Sequence, residues 1–359
     1  MIKESITKVI RGDNLSEADM EKTMEEVFDG KASSSQIGSF VTALRMKRET
    51  VDEITGAARA LRSRALKLQL DNHVLNLDRD DINVEGETIL NTTDTGKEGT
   101  STFNISTATI FVVAGAGIKV ARHGNREASM YFGAADVLAN LGVNLDISTS
   151  DVESCIREVG IGFFFTPLSQ GPMRNVARLR EEIEMRSIFN LIGPLANPAG
   201  ASAHVLGVYE SSLTEKMAQV LLNLGARDAF VVYGEGTIDE ISICGLTFVS
   251  RLKNGVVESF VIEPEKYGMK RADRESIKGG NARKNARIIN DILDGEKGPK
   301  RDVVVLNTAA AFVAAGMDVD LHDGIKRASE IIDSGKAKKK LNELVEFSIR
   351  CRPFVRKEL

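Results

Sequence analysis

Tryptophan is absent from this 359-residue chain, and cysteine nearly so, with three residues at Cys155, Cys244 and Cys351. Their wide separation excludes the close C-x-x-C pairing of a structural zinc site, and an odd, scattered set offers no disulfide framework. A reducing, cytoplasmic compartment is the expectation that follows. Long apolar runs are missing too: Val303 to Leu306 and Ile161 to Phe165 fall far short of the roughly 20 residues that cross a bilayer. The opening stretch MIKESITKVIRGDN has no unbroken hydrophobic segment and no small-residue cleavage site, so no secretory signal is expected. Nor is there a surplus of one charge. Lysine and arginine number 47 against 51 acidic residues, a net charge of −4, which argues against a chain-wide nucleic-acid footprint. What is present is a chain with only 5% aromatics and 31 glycines. A composition rich in Ala, Val, Ile, Leu and Gly suits helices packed on a buried sheet, and the length suits two domains of about 100–200 residues each.

The first seventy or so residues read as successive helices. Ser16-Glu17-Ala18-Asp19 sets a capping hydroxyl before an acid, and Met20, Met24, Val27 and Phe28 follow at helical spacing until Gly30. Ile37, Phe40, Val41 and Leu44 make a second apolar face, and Thr50-Val51-Asp52-Glu53 is a capping box for a third helix. Beyond residue 74 the period changes. Short β-prone runs at 88–91, 118–121, 205–208, 229–233 and 303–306 alternate with helical stretches such as Ala134 to Leu141 and Ser212 to Leu224. That alternation predicts an α/β domain with a largely parallel sheet, whose ligands sit at strand ends.

Four stretches could carry chemistry. Asp94 to Thr107 (DTGKEGTSTFNIST) places glycines, hydroxyls and Lys97 between a strand and the apolar helical run Ala108 to Ala114. Free N–H groups at a helix start, joined by hydroxyl donors, suit phosphate, although the Walker order is absent and such a loop is more often a capped turn. Arg122-His123-Gly124-Asn125-Arg126 concentrates anion-binding donors directly after a strand. Asp239-Glu240, after another strand and a glycine turn, offers carboxylates of the kind that hold Mg²⁺ together with substrate phosphate oxygens. Arg180, in a basic run with Arg174 and Arg178, could pair with the carboxylate of an acidic substrate, while most of that run should be solvated. No Ser-His-Asp or Cys-His set is apparent, and His73, His204 and His322 read as structural or exposed.

Taken in order, Asn104-Ile105-Ser106-Thr107, Arg122 to Arg126, Gly133 to Asp136, Glu158 to Phe163, Ile188 to Leu195 and Asp239-Glu240 resemble the anthranilate phosphoribosyltransferase family. The likeness runs from Leu44-Arg45-Met46-Lys47 to Asn307-Thr308-Ala309-Ala310-Ala311. It implies an α/β fold with a small N-terminal all-helical domain, of the nucleoside phosphorylase and phosphoribosyltransferase type. The helical domain would span 1–73, with a returning segment near 174–193, and the α/β domain would span 74–359. The implied reaction moves the phosphoribosyl group of phosphoribosyl pyrophosphate to the amine of anthranilate, as in tryptophan biosynthesis, with Mg²⁺ and release of pyrophosphate, in a cytoplasmic homodimer. By the same resemblance, Asp94, Lys97, Glu98, Asn104, Ser106, Thr107, Arg122 and Ala134 would bind phosphoribosyl pyrophosphate. His123, Asn125, Gln170 and Arg180 would face the acceptor, and Ser106, Asp239 and Glu240 the metal. No protein nucleophile is implied.

Several positions depart from the family pattern. Asp94-Thr95-Gly96-Lys97-Glu98 stands where the family reads Gly-Thr-Gly-Gly-Asp, so a carboxylate approaches the pyrophosphate and Lys97 offers compensation. Arg122 replaces the usual lysine, Ala134 a phosphate-binding serine, and Gln170 a histidine. Together they point to a divergent paralogue. Two further readings stay open at this point: the same reaction on another aromatic or heteroaromatic acceptor, and a non-catalytic paralogue binding nucleic acid through the basic end at Arg350, Arg352, Arg356 and Lys357.

Overall fold

The computed structural model describes residues 1–65, 88–95, 102–124, 133–165 and 173–351. Four helices open the chain: α1 (Ile2–Ile10), α2 (Glu17–Phe28), α3 (Ser34–Lys47) and α4 (Val51–Arg62). Hydroxyl caps start three of them. Ser16, Ser33 and Thr50 each accept a hydrogen bond from the N–H three residues on, and Gln36 and Glu53 return the bond as capping boxes.

Strands and helices then alternate through β1 (Ile89–Asp94), α5 (Ile105–Gly115), β2 (Lys119–Gly124), α6 (Ala134–Asn140), α7 (Thr149–Glu158) and β3 (Ile161–Phe165). Next, α8 (Arg174–Ile183) and α9 (Ile188–Ile192) return to the N-terminal helices, where Val176, Leu179, Phe189 and Leu191 share a buried cluster with Phe40 and Leu61. The sheet resumes with β4 (Ala203–Gly207), α10 (Leu213–Asn223), β5 (Asp228–Gly234), β6 (Thr247–Lys253) and β7 (Val256–Ile262). Four helices follow: α11 (Ala282–Leu293), α12 (Pro299–Ala314), α13 (Leu321–Asp333) and α14 (Lys336–Arg350).

The seven strands of the described residues form one sheet in the order β3-β2-β1-β4-β5-β6-β7. The first five run parallel, and β6 and β7 add an antiparallel edge. Strand alternation divides the core between two faces. On β5, Phe230 and Val232 point into the cluster built with α5 and α12, while Ala229 and Val231 point into the one shared with α10 and the N-terminal helices. A parallel sheet covered on both faces carries its open backbone only at the strand ends, which is where loops can build a site.

Two expectations change. Val303 to Leu306, read as a strand, lies inside the 16-residue helix α12, whose residues from Val303 to Ala314 are all buried. A short apolar β-branched run cannot by itself distinguish a buried strand from a helix buried all round, and here length and the Pro299 start decide. The strands near 88–91 and 118–121 also extend further, so that Asp94, Arg122 and His123 are strand residues, not loop residues. Among the described residues no helix is long and apolar enough to cross a membrane.

Candidate active site

The C-terminal ends of β1, β4 and β5 carry the loop that holds the predicted acidic pair. Two glycines bring it close. A Cβ on Gly207 would lie 1.6 Å from the Asp239 carbonyl oxygen, and one on Gly234 would lie 2.9 Å from that of Glu240. Backbone can therefore press directly onto the strand ends. The loop turns through Thr237 at φ +68° and closes on an isolated bridge between Gly234 and Ile238. Asn307, from α12, clamps it: its amide accepts from Ile241 N at 3.0 Å and donates to Ile241 O at 2.8 Å. Asp239 and Glu240 are thus fixed and almost fully buried.

These carboxylates share a cavity of about 20 Å³ with Asp94, Ser106, Thr92 and Asn307. That volume suits one water-sized occupant. Every polar lining group is a hard oxygen or amide donor, and the buried Thr92 hydroxyl has no hydrogen-bond partner among the described residues. The donor set fits Mg²⁺, which takes one or two protein carboxylates and completes its shell with water and phosphate oxygens. Among the described residues no group of three or more acidic, histidine or cysteine side chains is arranged to hold a metal ion by itself.

Beside the cavity, α5 begins at Asn104, whose side chain makes no cap. Its amide oxygen instead accepts from Asn285 Nδ2 at 2.9 Å, and Asn285 in turn accepts from Gly280 N at 2.8 Å. In that first turn Ile105 N and Thr107 N already donate to the Phe103 and Asn104 carbonyls, so what the start of α5 offers an anion is chiefly the hydroxyls of Ser106 and Thr107. Arg122 reaches across from β2, donating to Ser106 Oγ at 2.9 Å and approaching Thr107 Oγ1 at 3.5 Å. A nitrogen of the same guanidinium lies 3.6 Å from the Asp94 carboxylate.

His123 is the next residue on β2 and therefore faces the opposite way. Its Nε2 donates to the Gly193 carbonyl at 2.8 Å, which leaves the buried Nδ1 as an unprotonated acceptor with no partner among the described residues. Burial holds its pKa below the ordinary imidazole value despite the Gly193 bond, with Arg122 and Arg62 adding to the depression. Arg122 and His123, expected in one donor cluster, accordingly lie on two sides of the sheet. Arg180, on α8, is half-buried without an ion pair or hydrogen bond among the described residues, and desolvation lowers its pKa. Arg174 and Arg178 in the same run are exposed.

Ala134 opens α6, whose first turn is closed by Asp136 accepting from Gly133 N. Lys97, Glu98, Asn125 and Gln170 lie outside the described residues. The structure thus gathers Asp94, Ser106, Asp239 and Glu240 about one cavity and ties Arg122 to Ser106 and Thr107, with Asn104 next in the same turn. Among the described residues Ala134, His123 and Arg180 make no hydrogen bond or ion pair with that group. Sequence reasoning passed over Asn307 and Asn285 as site builders. Their signal was a lone amide on the apolar side of a helix, a group that burial obliges to find partners.

The glycosyl transferase family a/b domain matches residues 86–338, and the glycosyl transferase family helical bundle domain matches residues 3–65. An anthranilate phosphoribosyltransferase of Geotalea uraniireducens is 48% identical over 97% of this chain and 99% of the relative. One of Geobacter sp. is 50% identical over 96% of this chain and 98% of its own length. Among solved structures, the anthranilate phosphoribosyltransferase of Thermus thermophilus superposes with a TM-score of 0.85 at 36% identity, covering 96% of this chain and 99% of that one. The Saccharomyces cerevisiae enzyme, solved in complex with phosphoribosyl pyrophosphate and Mg, shares the fold at a TM-score of 0.83 and 24% identity, over 97% and 98% of the two chains.

Proposed function

The chain belongs to the anthranilate phosphoribosyltransferase family, and on that premise we propose that it transfers the phosphoribosyl group of phosphoribosyl pyrophosphate to the amine of anthranilate, releasing pyrophosphate with the help of Mg²⁺. Identity of about half, sustained from end to end of the curated relatives, is the observation that carries the reading.

The site's chemistry agrees with it. As the anomeric C–O bond breaks, negative charge grows on the leaving pyrophosphate, and preplaced donors that meet it lower the barrier. Arg122 and the Ser106 and Thr107 hydroxyls supply such donors. Asp239, Glu240 and Ser106 would hold Mg²⁺, which when bound adds positive charge to the phosphate oxygens. The acceptor nitrogen forms the new bond to the anomeric carbon and loses a proton. No side chain need act as a nucleophile.

Arg180, half-buried and without a partner among the described residues, suits the anthranilate carboxylate, and His123 belongs to the same acceptor side in this reading. Asp94, Asn104 and Ala134 stand on the phosphoribosyl pyrophosphate side. The homodimer and the cytoplasmic setting implied by the resemblance belong to the proposal as well; sedimentation velocity checks the first. The decisive assay mixes purified protein with phosphoribosyl pyrophosphate, Mg²⁺ and anthranilate. Anthranilate fluorescence should fall, and chelation of the metal should stop the fall. A folded protein that leaves the fluorescence unchanged sinks the reading.

A further inference from the structure

Two departures from the family pattern, far apart in sequence, meet at the phosphate seat. Arg122 stands where lysine is usual and Asp94 where glycine is usual, and their charged groups lie 3.6 Å apart. Neighbouring parallel strands β1 and β2 present them at one edge. Both side chains are shielded, at 11% and 19% exposure, so their attraction escapes much of the solvent screening that weakens surface pairs. The guanidinium also donates to Ser106 Oγ. Its planar fork can keep a hydroxyl on one nitrogen and exchange one anion for another on the next, which a lysine's single nitrogen cannot do in the same geometry.

We propose that Asp94 is a positioning residue that competes with phosphate for Arg122 and thereby sets the affinity of the site for pyrophosphate. The inference rests on the phosphoribosyltransferase reading. With phosphate away, the carboxylate holds the guanidinium over the α5 hydroxyls. An arriving phosphate must take that nitrogen from Asp94, so its apparent affinity is the intrinsic one reduced by the fraction of molecules in which Arg122 is available. Re-formation of the pair after transfer favours departure of the product.

The test titrates inorganic pyrophosphate, with Mg²⁺ present, into the full-length protein by calorimetry. Asp94→Asn should bind about five- to tenfold more tightly than the unaltered protein, and Asp94→Gly should move the same way. In turnover, KM for phosphoribosyl pyrophosphate and kcat should fall together, as slower product release replaces easy exchange. On an Arg122→Gln background the gain should shrink to less than about twofold, because the contested group is gone. Unchanged or weaker binding in both Asp94 variants overturns the proposal, and these two decide it even where the Arg122 variant does not fold. A full gain that persists on the Arg122→Gln background also overturns it, since Asp94 would then act by simple repulsion. If the unaltered protein binds neither pyrophosphate nor phosphoribosyl pyrophosphate, the functional reading itself fails; binding that ignores Asp94 defeats only this inference.

Discussion

Gly207 has no side chain, and the position of two carboxylates depends on that. It pairs with Asp94 on β1 and Val232 on β5, and the Asp239 carbonyl rests where its Cβ would be. Gly207→Ala must push the Asp239-Glu240 loop outward, by more than a neighbouring side chain could absorb, because the obstacle is backbone. Misplacement of about 1 Å in a charged site typically costs about a hundredfold in rate, so kcat/KM should drop on that order, with a raised Mg²⁺ requirement and little change in far-ultraviolet dichroism. Steady-state kinetics across a Mg²⁺ titration check this; unaltered metal dependence would mean the loop does not hold the metal. In the sequence, Asp239-Glu240 was visible as an acidic pair after a strand, whereas the glycine that seats it was one of 31. Arg122 and His123 show the converse limit. Their chemistry was legible, but their separation onto two faces needed the strand to run on to Gly124.

At the scale of elements, local signals were read well where the partners are close in sequence. The capping boxes of α3 and α4 follow from residues three apart. Glu53 does more than its box requires. Fully buried, it accepts from Thr50 N at 2.8 Å, Lys47 Nζ at 2.9 Å and Leu15 N at 3.0 Å, tying the start of α4 to the end of α3 and to the chain entering α2. The two halves of the cap should therefore differ in weight. Thr50→Ala removes one cap acceptor and should cost about 1 kcal/mol. Glu53→Ala takes away the carboxylate paired with the Lys47 ammonium, which keeps only the neutral acceptors Asn14 Oδ1 and Arg48 O, and strips two N–H groups of their acceptor, and should cost about 3–5 kcal/mol. Urea unfolding of both variants gives the comparison, and equal costs would show that the long-range bonds contribute nothing. The misread run at 303–306 marks the other boundary of legibility. Periodicity is silent for a helix buried on every side, and the sequence could not say that α12 would lie against both α5 and α13.

Across the whole molecule, the joint between the helical part and the sheet was the least legible feature, because each of its fasteners bridges distant residues. His123 holds Gly193 O, Asn91 holds Pro194 O, Arg62 holds Leu195 O and Asn197 holds Ala121 O, all from side chain to backbone with no repeating pattern. Burial of imidazoles near this joint gives the fold a pH dependence of definite sign. His204 lies on β4 between Asn91 and Ala229, almost inaccessible, and desolvation brings its pKa down from 6.5 to about 4. The unfolded chain therefore takes up a proton that the folded chain refuses between those values, and stability falls as pH drops from 6.5 towards 4. His123 acts in the same direction. Glu49 and Asp228 act in the opposite one, since burial raises their pKa and the folded chain protonates them first. The histidine contribution is isolated by difference: from pH 7.5 to pH 5 the wild type should lose roughly 2 kcal/mol relative to His204→Asn. Urea midpoints at pH 7.5, 6 and 5 measure it. Parallel curves for the two proteins would mean that His204 accepts its proton in the folded state as readily as in the unfolded one.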